Sequence, residues 1–339
     1  MRHFSDPAQP HHAPARELHN GGWADYAEVP ARFDAILDTL GPGEPARDFG
    51  LEPILDVHDA DYVAFLREAH DLWLAAGREG DAMGYVFPVV ARRALDLDRI
   101  DAKIGQYAMD ASTPIAADTW RAAYGGAQAA LTAMGAVLGG EAHAFALCRP
   151  PGHHCGADYM GGYCYLNNAA IVARAAQTRG VRRVAILDVD YHHGNGTQDI
   201  FYRDGEVLFA SIHADPKTDF PFYWGHPDER GEGAGEGATR NLPLPRGTDW
   251  SGYEPALAEA LDAVRAHGAD LLVVSYGADT FAEDPISHFK LAHEDYAAMG
   301  EKIAALGLPT LVVMEGGYAV DALGANVAAF LEGLERASA

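Results

Sequence analysis

From about residue 143 onward, short apolar, β-rich runs alternate with helix-length amphipathic segments, and few folds accommodate that pattern. The runs are 143–148 (HAFALC), 183–189 (RVAILDV), 207–212 (VLFASI), 270–275 (DLLVVS) and 309–314 (PTLVVM). Continuous apolar strands separated by helices predict a parallel sheet covered on both faces. The segment 253–267 (YEPALAEALDAVRAH) predicts a helix joining two of them. The first 140 residues are mixed. Stretches 60–76 and 118–138 read as helices, and between them lies an irregular segment, 77–115, with Gly, Pro and scattered aromatics. A loop of that length in a compact domain is usually functional.

Every predicted strand ends in reactive side chains. RPPGHHCG follows the first, DYHHGNGTQ the second, HADP the third, YGADT the fourth and EGGY the fifth. In open α/β sheets the ligand site lies beyond the carboxyl ends of the strands, so these five exits are expected to share one site.

Within LDVDYHHGNG, Asp190 and His192 are two residues apart, and in a strand or its extended exit such residues point the same way. They can converge on one cation. Asp279 of YGADT is the natural third ligand, leaving room for water and substrate. Two carboxylates and one imidazole suit Zn²⁺, with Fe²⁺ or Co²⁺ also fitting. An isolated DxDxHH also reads as a strand-end turn with an Asx interaction, and the Asp279 and RPPGHH partners weigh against that. Asp188, one step deeper, is expected to hold an imidazole in one tautomer rather than to ligate. Backbone around Asp188, Asp190, His192, Ser211 and Ile212 is a candidate cradle for a structural monovalent cation, K⁺. His153 and His154 on a Gly-flanked loop supply the titratable pair that amide hydrolysis needs for base and acid work. Tyr318 follows two glycines that let its phenol approach the metal and donate to an oxyanion.

Composition limits partners more than chemistry. Acidic residues outnumber basic ones by 49 to 25, a formal net charge of -24. Such a surface repels nucleic acid phosphates and attracts cations. The first residues hold no apolar stretch of signal-peptide length, and no run approaches the roughly 20 apolar residues that span a bilayer. No membrane association and a cytoplasmic location are therefore expected. Cys148, Cys155 and Cys164 form no CxxC pair and are too few for a thiolate-only zinc site. Cys155 reads as a packed thiol, with a reactive one as the alternative.

Taken in order, RPPGHH, GGYCYLNN, LDVDYHHGNGTQ, GADTFAEDP and EGGY resemble the histone deacetylase superfamily, and look closest to its bacterial acetylpolyamine amidohydrolases. The resemblance implies one α/β domain over 1–339 with the arginase–deacetylase fold, an open, mainly parallel eight-stranded sheet with helices on both faces. It implies Asp190, His192 and Asp279 as zinc ligands, His154 as general base and acid, and His153 as its electrostatic neighbour. Asp188 then partners His153, Asn195 partners His154, and Tyr318 is the oxyanion donor. Tyr163 and Phe220 match aromatic tunnel walls, Gly162 would face the substrate amide, and Ile286 falls at an apolar rim. Glu17 in RELHNGG resembles an acidic residue near the amidohydrolase pocket. The 77–105 segment resembles a loop that packs across a homodimer interface, placing Asp101 at an acidic rim. Cys155 and Ser112 depart from the family pattern, Ser112 standing where a second acid is expected.

The substrate implied is a small cationic acetylated amine. Three rivals stand beside it: a protein acetyl-lysine deacetylase with the same chemistry, an arginase-like dimanganese ureohydrolase, and a non-catalytic acetyl-amine binder.

Overall fold

The computed structural model describes residues 1–88, 95 and 97–336. Among them are ten strands: β1 (Arg2–Ser5), β2 (Arg16–His19), β3 (Gly22–Asp25), β4 (Glu44–Pro45), β5 (His143–Ala146), β6 (Val184–Asp188), β7 (Val207–Ala214), β8 (Thr239–Leu244), β9 (Leu271–Tyr276) and β10 (Thr310–Met314). Eight form one sheet in the order β4-β1-β5-β10-β9-β6-β7-β8, and β2 and β3 form a separate hairpin. Every pairing in the large sheet is parallel. The five strands read from the sequence are β5, β6, β7, β9 and β10, and they occupy five of its six inner positions.

Both faces of the sheet are dry because successive strand residues feed two separate cores. Val184 and Ile186 join one, and Ala185 and Leu187 the other; Leu271 and Val273 alternate with Leu272 and Val274 in the same way. Helices Ala60–Ala75, Thr119–Leu138 and Asn168–Thr178 cover the first face. Helices Ala31–Leu40, Trp250–His267, His293–Ala304 and Val320–Arg336 cover the second. Their ends follow local chemistry. The Asp59 side chain accepts from the Asp61 N–H, Asn167 from Ala170 and Asp249 from Gly252, each satisfying a backbone donor of the first turn. The 250–267 helix stops at Gly268, whose φ of +68° suits a residue without Cβ.

The strand order creates a crevice. After β6 the chain moves outward to β7 and β8, then returns on the other side of β6 as β9 and moves on to β10. The connections leaving β6 and β9 therefore diverge, and side chains beyond these two carboxyl ends face an open cleft.

Segment 77–115 is not wholly irregular. It contains the helix Ile100–Gln106, anchored by buried Ile100 and Ile104, and an isolated bridge between Ala82 and Ile115. Seven residues are too few for a periodic signal in sequence. Residues 89–94 and 96 of that segment lie outside the described residues.

Candidate active site

Four adjacent strands, β5, β10, β9 and β6, deliver their exits to one place. β6 and β9 pair with Asp188 beside Ser275, so Asp190 and His192 beyond β6 meet Asp279 beyond β9. One ligand atom from each of the three lies within 4.8 Å of the others. His192 Nδ1 is 2.9 Å from Asp279 Oδ2 and 3.4 Å from Asp190 Oδ1. Backbone amides steady both carboxylates: Gly316 N–H donates to Asp190 Oδ2 at 2.8 Å, and Tyr191 N–H to Asp279 Oδ1 at 2.9 Å.

These residues suit a divalent cation. Asp190 and Asp279 are fully buried, and one ligand atom of each lies within 4.8 Å of the other. Burial, then the charge of Asp190, pushes the Asp279 carboxyl up to about 7, a cost that a bound cation removes. The space is also kept clear. A Cβ on Gly277 would lie 2.0 Å from Asp190 Oδ2, and one on Gly316 would lie 2.6 Å from Asp190 Oδ2 and 2.7 Å from Asp279 Oδ2.

The two histidines beyond β5 are buried, 2% and 4% exposed, rather than displayed on a loop. Their ring centroids are 4.0 Å apart, yet their surroundings set them differently. His153 Nδ1 faces Asp188 Oδ2 at 3.0 Å. Burial works against its charge, but Asp190 and Asp188 outweigh it and raise His153 to about 10. Burial, reinforced by His153 and His192, holds His154 well below the usual histidine range. His154 Nδ1 meets Asn195 Oδ1 at 2.7 Å. The Asn195 amide also donates to His154 O and to Tyr159 Oη, so its oxygen is the acceptor and His154 Nε2 keeps its lone pair.

A cavity of about 410 Å³ opens above these groups, lined among others by His154, His192, Gly162, Tyr163, Phe220, Ile286 and Tyr318. Phe220 packs edge-on against His154 at 5.0 Å and His192 at 6.2 Å. Tyr163 meets Tyr318 at 5.7 Å. Gly162 and Tyr163 both take left-handed backbone, φ +53° and +66°. A Cβ at 162 would reach within 2.2 Å of the His154 ring, so only glycine fits. The strain at Tyr163 is held by bonds on each side: Gly162 N–H to Asp110 Oδ2, Tyr163 N–H to Thr113 Oγ1, and Tyr163 Oη to Glu17 Oε1.

Tyr318 is placed by side chains that sequence reasoning missed. The Asp284 carboxylate accepts from Tyr318 N–H at 2.7 Å. Arg32 donates to the carbonyls of Gly317 and Glu315, each at 2.6 Å, and its guanidinium lies 4.9 Å from the Tyr318 ring centroid. Glu315 itself accepts from the amides of Gly152 and His153, tying the β10 exit to the histidine loop. Asp284 and Glu315 lie inside motifs already singled out, whereas Arg32 stands in an ordinary helix turn with no signal.

Glu17, expected near the pocket, and Asp101, expected at an acidic rim, both lie outside the lining of this chain's cavity. Glu17 is 2% exposed and does not line the cavity; it stands behind Tyr163. Asp101 is 4% exposed and bound by Arg99 at 2.5 Å and Arg78 at 3.2 Å, which neutralise it away from its own chain's cavity. Asp110, two residues before Ser112, is the acid that reaches the cavity there. Cys155 is fully buried, and burial raises its thiol far above the reactive range. Of the residues of the candidate K⁺ cradle, Asp188 and Ser211 are neighbours across β6 and β7.

Residues 26–334 match the model of the histone deacetylase domain. The chain belongs to the histone deacetylase family. Among histone deacetylase relatives, it is 49% identical over 337 residues to acetylpolyamine amidohydrolase 2 of Pseudomonas aeruginosa, covering 98% of both chains. It is 47% identical to the acetylpolyamine amidohydrolase of Mycoplana ramosa, covering 94% of this chain and 95% of that one. The crystal structure of the acetylpolyamine aminohydrolase from Burkholderia pseudomallei superposes with a TM-score of 0.94 at 40% identity, covering 99% of both chains. The family fold and the observed sheet agree: eight parallel strands with helices on both faces.

Proposed function

We propose that this protein hydrolyses the acetamide of small cationic acetylated amines, acetylpolyamines foremost, releasing acetate and free amine. The observation that carries this is the buried Asp190, His192 and Asp279 cluster beneath a cavity lined by His154, Tyr318, Tyr163 and Phe220. Near-half identity over almost the whole chain to named acetylpolyamine amidohydrolases supports the substrate class.

Asp190, His192 and Asp279 would hold one divalent ion, Zn²⁺ by their chemistry and Fe²⁺ or Co²⁺ as alternatives. When bound, that ion supplies carbonyl polarisation and acidification of the attacking water. His154 is neutral and aims Nε2 into the cavity, so it accepts the proton of the attacking water and passes it to the departing amine nitrogen. Asn195 keeps the tautomer that makes this possible. Charged His153, fixed by Asp188, offsets part of the negative charge around the reacting centre. Tyr318 donates its O–H to the developing oxyanion. Tyr163 and Phe220 clasp the alkyl chain, Gly162 adjoins the amide, and Ile286 borders the entrance. K⁺ beside Asp188, Asp190, His192, Ser211 and Ile212 would stiffen the β6 exit.

Chain 1–339 is assigned as one deacetylase domain that works as a homodimer through segment 77–115. Support comes from apolar side chains left bare there: Tyr85 is 70% exposed and Val86 62%. Contiguous bare apolar surface marks an interaction site.

The deciding experiment compares acetylputrescine and acetylcadaverine with acetyl-lysine peptides by acetate release. We expect kcat/KM at least tenfold higher on the polyamines. Higher values on the peptides would transfer the protein to the lysine-deacetylase rival, and two catalytic metals per chain to the ureohydrolase one.

A further inference from the structure

The loop after β7 carries Phe220, and the residue before it, Asp219, has no assigned role although it is only 6% exposed. Its carboxylate is saturated. Oδ1 accepts from Tyr191 Oη at 2.7 Å and from Arg246 Nη2 at 3.1 Å; Oδ2 accepts from Thr218 Oγ1 at 2.7 Å and from Arg246 Nε at 2.9 Å. Arg246 also donates to Thr218 O at 2.9 Å. The arrangement is a two-pronged guanidinium–carboxylate pair, the geometry that fixes both partners.

Two consequences meet at this pair. Among the described residues, Arg246 is the one guanidinium or ammonium lining the cavity, and its side chain is half exposed. A cationic substrate held in the cavity lies within reach of its charge. Tyr191, held by the same carboxylate, sits between the metal-site residues Asp190 and His192, so the Phe220 wall and the cluster share one anchor.

Resting on the acetylpolyamine reading, we propose that Asp219 determines specificity by cancelling the Arg246 charge at the cavity mouth, so that an ammonium-bearing chain is admitted. Asp219 is a positioning and charge-masking residue; it touches neither the acetamide nor the reacting water. An uncancelled guanidinium within about 8–10 Å of a substrate ammonium repels it enough to cost about tenfold in kcat/KM at an intermediate dielectric.

The test pairs acetylputrescine with its neutral isostere N-pentylacetamide, in which a methyl replaces the ammonium. Asp219→Asn keeps the shape and removes the charge. It should lower the ratio of kcat/KM for the cation over the neutral substrate about tenfold, mostly through KM, and higher ionic strength should recover part of the loss. Arg246→Met should raise the same ratio, because it leaves the carboxylate unmasked. The double variant Asp219→Asn/Arg246→Met should return the ratio to within threefold of wild type. Any purely structural damage lowers both substrates together and leaves the ratio untouched. Equal losses on both substrates in Asp219→Asn, or a ratio that falls in Arg246→Met, would overturn the proposal. Wild type that hydrolyses the neutral acetamide but not acetylputrescine would instead overturn the acetylpolyamine reading, a different failure.

Discussion

Tyr318 and Glu17 illustrate how much a single side chain here depends on what stands behind it. The Tyr318 ring is fixed by Arg32 and Tyr163, and its backbone N–H by Asp284, so removing only the hydroxyl leaves the packing in place. Tyr318→Phe is expected to lower kcat by about 10²–10³, the range for loss of one oxyanion donor, with KM and Tm little changed. Steady-state kinetics and a thermal melt read both; a kcat within threefold of wild type would remove Tyr318 from catalysis. Glu17 offers a pH signature. Burial raises its carboxyl from 4.5 to about 7, against the opposing pull of the Tyr163 hydroxyl. Between those values the unfolded chain releases a proton that the folded chain keeps, so stability falls as pH rises through that window and levels off above it. Glu17→Gln lacks this loss. The Tm drop from pH 5 to pH 7 should be smaller in Glu17→Gln than in wild type, and identical drops would show that Glu17 does not carry the raised pKa.

At the level of elements, the register of β6, β9 and β10 does what no one segment can. Glycines at their exits let three strands close on one point. Gly316, just past β10, is where a Cβ would press on the carboxylates of both Asp190 and Asp279. Gly316→Ala should weaken metal binding by about 10–100-fold, the range seen when groups supporting metal ligands are disturbed. Metal content after dialysis against a weak chelator measures this, alongside a thermal melt showing that the sheet persists. Undiminished metal content would mean the ion sits elsewhere. The exit of β7 is a second such case, where Asp219 joins the Phe220 wall to Tyr191 and so to the segment that carries Asp190 and His192.

For the whole molecule, a net charge of -24 sets a condition on assembly. Two copies repel at long range, so association requires apolar surface such as Tyr85 and Val86 to be covered. Sedimentation should give the mass of two chains, with a dimer that tightens as salt screens the repulsion. The double variant Tyr85→Glu/Val86→Glu should sediment as one chain and show a several-fold higher KM for acetylpolyamines. A wild-type monomer with full activity would end the dimer assignment.

The order of apolar runs and the reactive residues after each were enough to name the parallel sheet and to single out the candidate metal cluster, the histidine pair and Tyr318, because strand periodicity and strand-end chemistry are local. Short or peripheral pieces carried no such signal: β1 and β4 have four and two residues, and the helix Ile100–Gln106 has seven. Positions that depend on distant partners were decided only by the tertiary structure. Asp110 joins Ser112 in lining the cavity, Asp101 is claimed by two arginines, Glu17 stands behind Tyr163, and Arg32 reaches across more than 280 residues to hold the Tyr318 loop. A carboxylate's role follows from whichever cation or amide meets it in space, and spacing along a chain does not encode that meeting.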